Sequence, residues 1–94
     1  MPRTFRRGDE YIYRHIAGEH LLVALRRREA APLYALTPTS AFLWELLGAW
    51  VTPEALAQAL TERFDVSAEG ARADVEAFLE QLLSIKAVDV QDEA

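Results

Sequence analysis

The stretch that decides the fold spans residues 33–47 and reads Leu33-Tyr34-Ala35-Leu36-Thr37-Pro38-Thr39-Ser40-Ala41-Phe42-Leu43-Trp44-Glu45-Leu46-Leu47. Its first four residues form a short apolar segment, which is typical of a strand. After them the apolar period lengthens from two residues to about 3.6, and Thr37-Pro38 supplies a capping hydroxyl and a first-turn proline. We therefore predict a strand over 33–36 and a helix that ends near Gly48.

Two further strands are predicted on the amino-terminal side. Tyr11–Ile16 is rich in aromatic and β-branched residues. The segment 20–26 is apolar on both faces. Gly18 lies between the two and can adopt a positive φ, so they should form a hairpin. Pro32 cannot donate a ladder hydrogen bond, which places it at the start of the third strand or at an edge.

Two more helices are predicted on the carboxyl-terminal side. Thr52 and Ser67 are their capping residues, and the last helix runs to about Lys86. The apolar residues of this helix cover an arc of about 140°, whereas packing on a small core needs about 100°. The surplus could line a groove, or the whole arc could be core. The arc consists of Val75, Phe78, Leu79, Leu82 and Leu83.

The order of three strands and three helices predicts an α+β fold, with a three-stranded antiparallel sheet followed by three helices. A winged helix-turn-helix has the same elements. The length of 94 residues predicts a single domain over 1–94. We expect its ordered core to cover about 10–90, with disorder at 1–7 and 91–94.

Charge and composition exclude several classes of protein. Residues 1–30 carry seven arginines and four acids, whereas residues 31–94 carry three basic residues and eleven acids. An acidic helical half disfavours nucleic acid as a partner, because phosphate neutralisation supplies much of that affinity. There is no cysteine, which fits a reducing cytoplasm, and no apolar run is long enough for a membrane helix.

Catalytic constellations are nearly absent, so we expect a binding protein without enzymatic activity, cofactor or metal. His15 and His20 flank the first turn and could be cross-strand neighbours, but Glu19 is the only acid nearby and a third ligand is missing. The serines have no histidine partner close in sequence. The four glycines are scattered and form no phosphate loop.

Binding features are more prominent. The segment 33–36 should be the last strand of a meander and therefore an edge, and Pro32 alone blunts it. Such an edge can accept an added strand from a peptide. The triplet Arg26-Arg27-Arg28 could be a solvated turn or an anion-attracting patch. In the second case Arg27 and Arg28 would attract an acidic peptide.

Residues 13–90 resemble the PqqD-like family of peptide chaperones, which belongs to the wider class of RiPP recognition elements. The resemblance rests on residues 34–47, on Thr52 through Val66, and on Ala73 through Leu82. It implies a winged helix-turn-helix that binds a precursor's leader peptide as a strand on the third strand, against the third helix. The residues implied in peptide contact are Leu33, Tyr34, Ala35, Leu36, Arg72, Val75, Glu76, Leu79 and Leu83.

The resemblance also implies the partners. The leader peptide would be presented to a modifying enzyme, such as a radical SAM protein or a protease, and the open edge could also pair with a second copy of the chain. The alternative function is a winged-helix DNA-binding regulator. Its recognition helix would be the second or third, and both are acidic where a DNA reader carries Arg or Lys.

Overall fold

The elements follow one another as the sequence predicts, with one strand added at each end. A computed structural model describes residues 3–25 and 33–92. The bounds are β1 (Arg3–Arg7), β2 (Tyr11–Ile16), β3 (Glu19–Ala24), β4 (Leu33–Leu36), α1 (Pro38–Leu46), α2 (Pro53–Arg63), α3 (Ala68–Ser84) and β5 (Val88–Asp92). The predicted α+β class, with a three-stranded antiparallel sheet followed by three helices, is confirmed.

The three-stranded sheet has the order β2-β3-β4, and all its pairs are antiparallel. Ala17 and Gly18 connect β2 to β3 with φ angles of 51° and 81°. Two consecutive positive φ values are typical of a type I′ turn, whose twist matches that of the flanking strands. Glycine takes this conformation freely, whereas an alanine there costs about 1–2 kcal/mol.

The predicted helix caps are confirmed at all three helices. The hydroxyl oxygens of Thr37, Thr52 and Ser67 accept hydrogen bonds from main-chain N–H groups three residues later, at 3.0, 3.1 and 3.0 Å. Each bond satisfies one of the N–H groups that lack an intrahelical partner. α3 ends at Ser84, two residues before the predicted end, and Lys86 then takes a φ of 60°.

The chain ends form an antiparallel ribbon where disorder was predicted. β1 pairs with β5 from Arg3↔Asp92 to Arg7↔Val88. Phe5 also exchanges two main-chain hydrogen bonds with Val51, at 2.8 and 3.0 Å. The prediction of disorder is therefore wrong for 3–7 and for 91–92. A strand with one apolar residue among four polar ones gives little sequence signal, and its partners lie far away along the chain.

The core lies between one face of the three-stranded sheet and the helices. Leu22, Leu47, Leu60 and Leu82 are among its fully buried members. Trp44 belongs to this core, as predicted, whereas Trp50 is exposed beneath the guanidinium of Arg6. No helix in the described part of the chain is long and apolar enough to cross a membrane.

Candidate functional site

The direction of the main-chain groups in β3 can be read from one hydrogen bond. The N–H of Leu25 donates to the carbonyl of Glu10 at 2.9 Å, one step beyond the Tyr11↔Ala24 pair. Hydrogen-bonded and non-hydrogen-bonded pairs alternate along an antiparallel ladder. The odd-numbered residues of β3 therefore direct their main-chain groups toward β2, and the even-numbered residues direct theirs toward β4.

This alternation identifies the free edge of β4. Tyr34 and Leu36 lie opposite Leu22 and His20, so their main-chain groups bond to β3. The N–H and C=O groups of Leu33 and Ala35 consequently point away from the sheet. Within the described part of the chain β4 pairs with β3 alone. β4 is therefore the edge strand that the sequence predicts, and the main-chain groups of its alternate residues, Leu33 and Ala35, point outward.

Tyr34 connects this edge to α3. Its hydroxyl donates a hydrogen bond to the side-chain oxygen of Gln81. Burial raises the pKa of the Tyr34 phenol above its ordinary value, so the hydroxyl keeps its proton at neutral pH. Leu36, on the same side of the strand as Tyr34, is buried in the core. The core-facing side of β4 is thus fixed against the helical layer.

A hollow lies beside β4, between the start of α1 and one flank of α3. It has a volume of about 380 Å³. α3 contributes Asp74, Ala77, Phe78 and Gln81, which fall within an arc of about 100° on the helix. Phe78 is almost fully buried, whereas the other three side chains are exposed. The remaining lining residues are Thr37, Thr39, Ser40 and Leu43.

The five α3 residues predicted for peptide contact lie on the opposite flank of the helix. Val75 and Leu79 are only 1% and 4% exposed. Arg72, Val75 and Glu76 line a cavity of about 270 Å³ shared with α2. Glu76, Leu79 and Leu83 line another, of about 570 Å³, together with Arg3 and Phe5 of β1.

The wide apolar arc of α3 is therefore explained by packing. Val75, Phe78, Leu79 and Leu82 are buried, and Leu83 packs against the core while half-buried. Both sides of the arc face the core, because α3 packs against the sheet, against α2 and against the ribbon formed by β1 and β5. Of the predicted α3 residues, none lines the hollow beside β4. Their role in peptide contact stays a prediction.

Two further features were singled out from the sequence, the arginine patch and the histidine pair. Arg27 and Arg28, predicted to attract an acidic peptide, lie outside the described residues. His15 and His20 are cross-strand partners with rings stacked at 4.4 Å, and the Nδ1 of His20 is 2.6 Å from the Tyr13 hydroxyl. Among the described residues there is no group of three or more His, Cys, Asp or Glu side chains that could hold a metal.

Sequence reasoning missed the α3 flank that faces β4. Its members are an acid, an alanine, a phenylalanine and an amide, which share no composition that signals a site. The available signal was helical spacing. Asp74, Ala77 and Gln81 follow one another at intervals of three and four residues along one side of the apolar arc. Nothing local indicated which side would meet the sheet.

Two solved structures share this fold. One is TbiB1 in complex with the TbiA(beta) leader peptide, with a TM-score of 0.71 and 22% identity over 89% of this chain and 94% of that one. The other is lasso peptide synthetase B1 complexed with the leader peptide, with a TM-score of 0.74 and 22% identity over 90% and 96% of the two chains. No curated protein sequence matches the chain significantly.

The family assignment comes from the sequence itself. The family model for coenzyme PQQ synthesis protein D (PqqD) matches residues 19–88. The match begins at the first residue of β3 and ends at the first residue of β5, so it includes the edge strand, the three helices and the hollow between them. The resemblance stated for residues 13–90 is confirmed over most of that range: the chain belongs to the PqqD family.

Proposed function

We propose that the protein binds the leader peptide of a ribosomally made precursor by strand addition to β4. The observation that carries the proposal is the pair of outward main-chain groups at Leu33 and Ala35. An extended peptide can satisfy these groups with its own N–H and C=O groups, while its alternate side chains provide specificity. The shared fold with two leader-peptide complexes supports the same kind of ligand.

The hollow offers a place for the side chains of such a peptide. Phe78 and Leu43 supply apolar surface, and hydroxyl, amide and carboxylate groups surround it. We propose that a peptide side chain from the strand added to β4 enters this space next to Gln81. An apolar body with a hydrogen-bonding end would match the lining. Binding on the flank of Arg72 and Glu76 is the competing possibility.

We further propose that the protein is a non-catalytic partner that presents the bound peptide to a modifying enzyme, such as a radical SAM protein or a protease. Membership of the PqqD family supports this role. Among the described residues the hydroxyl that contacts a histidine is that of Tyr13, and no serine or threonine hydroxyl does so. A peptide held by its main chain on one edge leaves the remainder of the precursor free to reach an enzyme.

Backbone amide shifts during titration with a leader peptide test the proposal. The peptides to use are synthetic leaders from precursor genes that neighbour this gene, with a scrambled leader as control. Shifts should concentrate on 33–36 and on Asp74, Ala77 and Gln81. Shifts confined to α2 or to the β2–β3 hairpin would show that the binding mode is wrong.

The DNA-binding alternative is tested separately. Exposed acids cover α2 and α3, including Glu54, Glu62, Glu69 and Glu80, and they would repel a phosphate backbone. A gel-shift assay with random duplex DNA at low salt should show no complex. A clear shift that falls steeply with added salt would favour the regulator instead.

A further inference from the structure

A second hollow lies on the other side of α1, between that helix and the turn end of the β2–β3 hairpin. It has a volume of about 460 Å³, which is within the range of ligand pockets in proteins. Aromatic and imidazole rings line it from both sides, and we call it the aromatic hollow. The rings are those of Tyr13, His20, Phe42, Trp44 and Phe64.

These rings are held in place by contacts with one another and with the core. Phe42 and Phe64 pack edge to face, with their centroids 5.6 Å apart. Trp44 is 3% exposed and belongs to the core. On the opposite wall, the hydroxyl oxygen of Tyr13 is 2.6 Å from Nδ1 of His20. The aromatic hollow is therefore preformed, so a ligand loses little free energy in ordering its walls.

Two arginines give the aromatic hollow its charge. The guanidinium of Arg63 lies 5.9 Å from the ring centroid of Phe42 and 5.7 Å from that of Phe64. The guanidinium of Arg7 lies 6.0 Å from the ring of Trp44, and its Nη1 donates a hydrogen bond to the main-chain carbonyl of that residue at 3.1 Å. These distances are typical of cation–π contacts, which fix both guanidinium groups at the edge of the hollow.

The two arginines are not neutralised by the protein itself. Among the residues that the structure describes, the ion pair found is Arg3–Asp92, and neither Arg7 nor Arg63 takes part in one. Glu45 is the single acid among the described lining residues, so positive charge is in excess. A guanidinium that stacks on a ring keeps N–H donors for a carboxylate, which it can bind through two parallel hydrogen bonds. An acidic side chain with an apolar neighbour matches this lining.

The aromatic hollow is adjacent to the proposed leader site. Thr37, which follows β4 directly, lines the hollow beside β4, and the next residue, Pro38, lines the aromatic hollow. The first turn of α1 is therefore the boundary between the two. A helix is about 10 Å across with its side chains, a distance that three extended residues of about 3.3 Å each can cover. A peptide paired with β4 can thus cross the start of α1 and reach the aromatic hollow.

We propose that the aromatic hollow is a second subsite for the leader peptide and that it selects an acidic residue. The inference rests on the proposed binding of the leader to β4. The acidic residue lies just outside the paired segment, on the side of Leu36, and Arg63 and Arg7 bind its carboxylate. An apolar neighbour of that residue packs against Phe42 and Phe64.

The second subsite would determine the register of the peptide. Main-chain hydrogen bonds to an edge strand are the same for every sequence, so a peptide held by them alone can slip along the strand. A carboxylate bound beyond Leu36 allows one register only. Arg7 and Arg63 are then specificity-determining residues, although neither touches the strand paired with β4.

Calorimetric titration with synthetic leaders from precursor genes that neighbour this gene tests the subsite. Arg63→Gln should weaken leader binding about fivefold and reduce its dependence on salt. Arg14→Gln is the matched control, because Arg14 alternates with Tyr13 and lies on the other face of the sheet. It removes the same charge and should bind within about twofold of wild type. Equal affinities for the two variants would overturn the proposal.

Replacing each acid of the leader in turn by its amide identifies the residue that is bound. One replacement should weaken binding to the wild type about fivefold. The same replacement should change binding to Arg63→Gln by no more than about twofold, since the partner charge is already absent. If every replacement has the same effect on both proteins, Arg63 binds no leader acid and the proposal is wrong.

Chemical shifts distinguish failure of this subsite from failure of strand addition. During the leader titration we expect shifts both at 33–36 and in the rings of Phe42 and Phe64. Shifts at 33–36 without shifts in these rings would overturn the subsite and leave strand addition standing. The absence of shifts at 33–36 would refute strand addition, and with it the crossing of α1 from β4.

A thermal melt close to that of wild type shows that Arg63→Gln folds. If it does not fold, Arg7→Gln takes its place, and the same fall in leader affinity is expected. Glu45→Gln gives a change of opposite sign, because it removes the acid that competes for the two arginines. Its leader affinity should rise about twofold. A fall in affinity for Glu45→Gln would contradict the assignment of an acidic ligand.

Discussion

At the scale of single residues, Tyr34 and Ala35 are neighbours whose main-chain groups point in opposite directions. Ala35→Pro removes an outward N–H, so leader binding should weaken at least about tenfold while the domain still folds. Tyr34→Pro removes a bond to Leu22 of β3 and should destabilise the sheet. Calorimetric titration and thermal unfolding of both variants measure the two effects. Unchanged leader binding by Ala35→Pro would rule out strand addition at β4.

The Tyr34 hydroxyl gives a second prediction at this scale. Tyr34→Phe removes the hydrogen bond to Gln81 and should lower the free energy of unfolding by about 0.5–1.5 kcal/mol at neutral pH. Because burial raises the pKa of Tyr34 above its ordinary 10.0, the folded state binds this proton more tightly than the unfolded state. The stabilisation is present below pH 10 and is lost as the pH rises further.

Urea unfolding across pH 7 to 11 checks both parts of that prediction. The wild type should lose stability above about pH 10 more steeply than Tyr34→Phe. Tyr13→Phe is the matched control, since Tyr13 contacts His20 at the exposed end of the sheet. If the free energy of unfolding falls equally steeply with pH in the wild type and in Tyr34→Phe, the folded state does not hold the Tyr34 phenol in its protonated form.

At the scale of elements, the two flanks of α3 separate the two possible peptide grooves. Ala77→Arg places a long side chain in the hollow beside β4 and should weaken leader binding about tenfold or more. Ala73→Arg makes the same change at an exposed position one turn away, outside that lining, and should bind within about twofold of wild type. Leader titrations of both variants at equal salt give the comparison. Equal affinities would place the peptide elsewhere.

The elements themselves could largely be predicted because their signals are local. The caps at Thr37, Thr52 and Ser67 and the turn at Gly18 depend on residues a few positions apart. The flank of α3 that faces β4 could not be predicted. The apolar arc has two sides, and only the packing of α2 and the sheet shows which side lies next to β4. The outward direction of the Ala35 main chain likewise depends on the register with β3.

At the scale of the whole molecule, the β1–β5 ribbon ties the two ends of the chain together. It brings residues separated by almost the entire sequence into register, and its bond to Val51 attaches it to the connection between α1 and α2. Sequence patterns could not predict this ribbon, because Phe5 is the single apolar residue in β1 and its partners are distant. The expected disorder of the ends followed from that absence of local signal.

Phe5 anchors this ribbon in the core. A substitution at Phe5 therefore tests whether the ribbon stabilises the fold without taking part in peptide binding. It is 1% exposed, so Phe5→Ala should lower the free energy of unfolding by about 3–5 kcal/mol, a large share of the stability of a small domain. Thr4→Ala, in the same strand, should change it by no more than about 0.5 kcal/mol. Both values come from urea unfolding at one temperature.

Below the melting transition, leader affinity of Phe5→Ala should equal that of wild type, because Phe5 lies beside Leu79 and Leu83 and away from β4. Weaker binding by the folded variant would instead place the peptide on that side of α3, the flank predicted from the sequence.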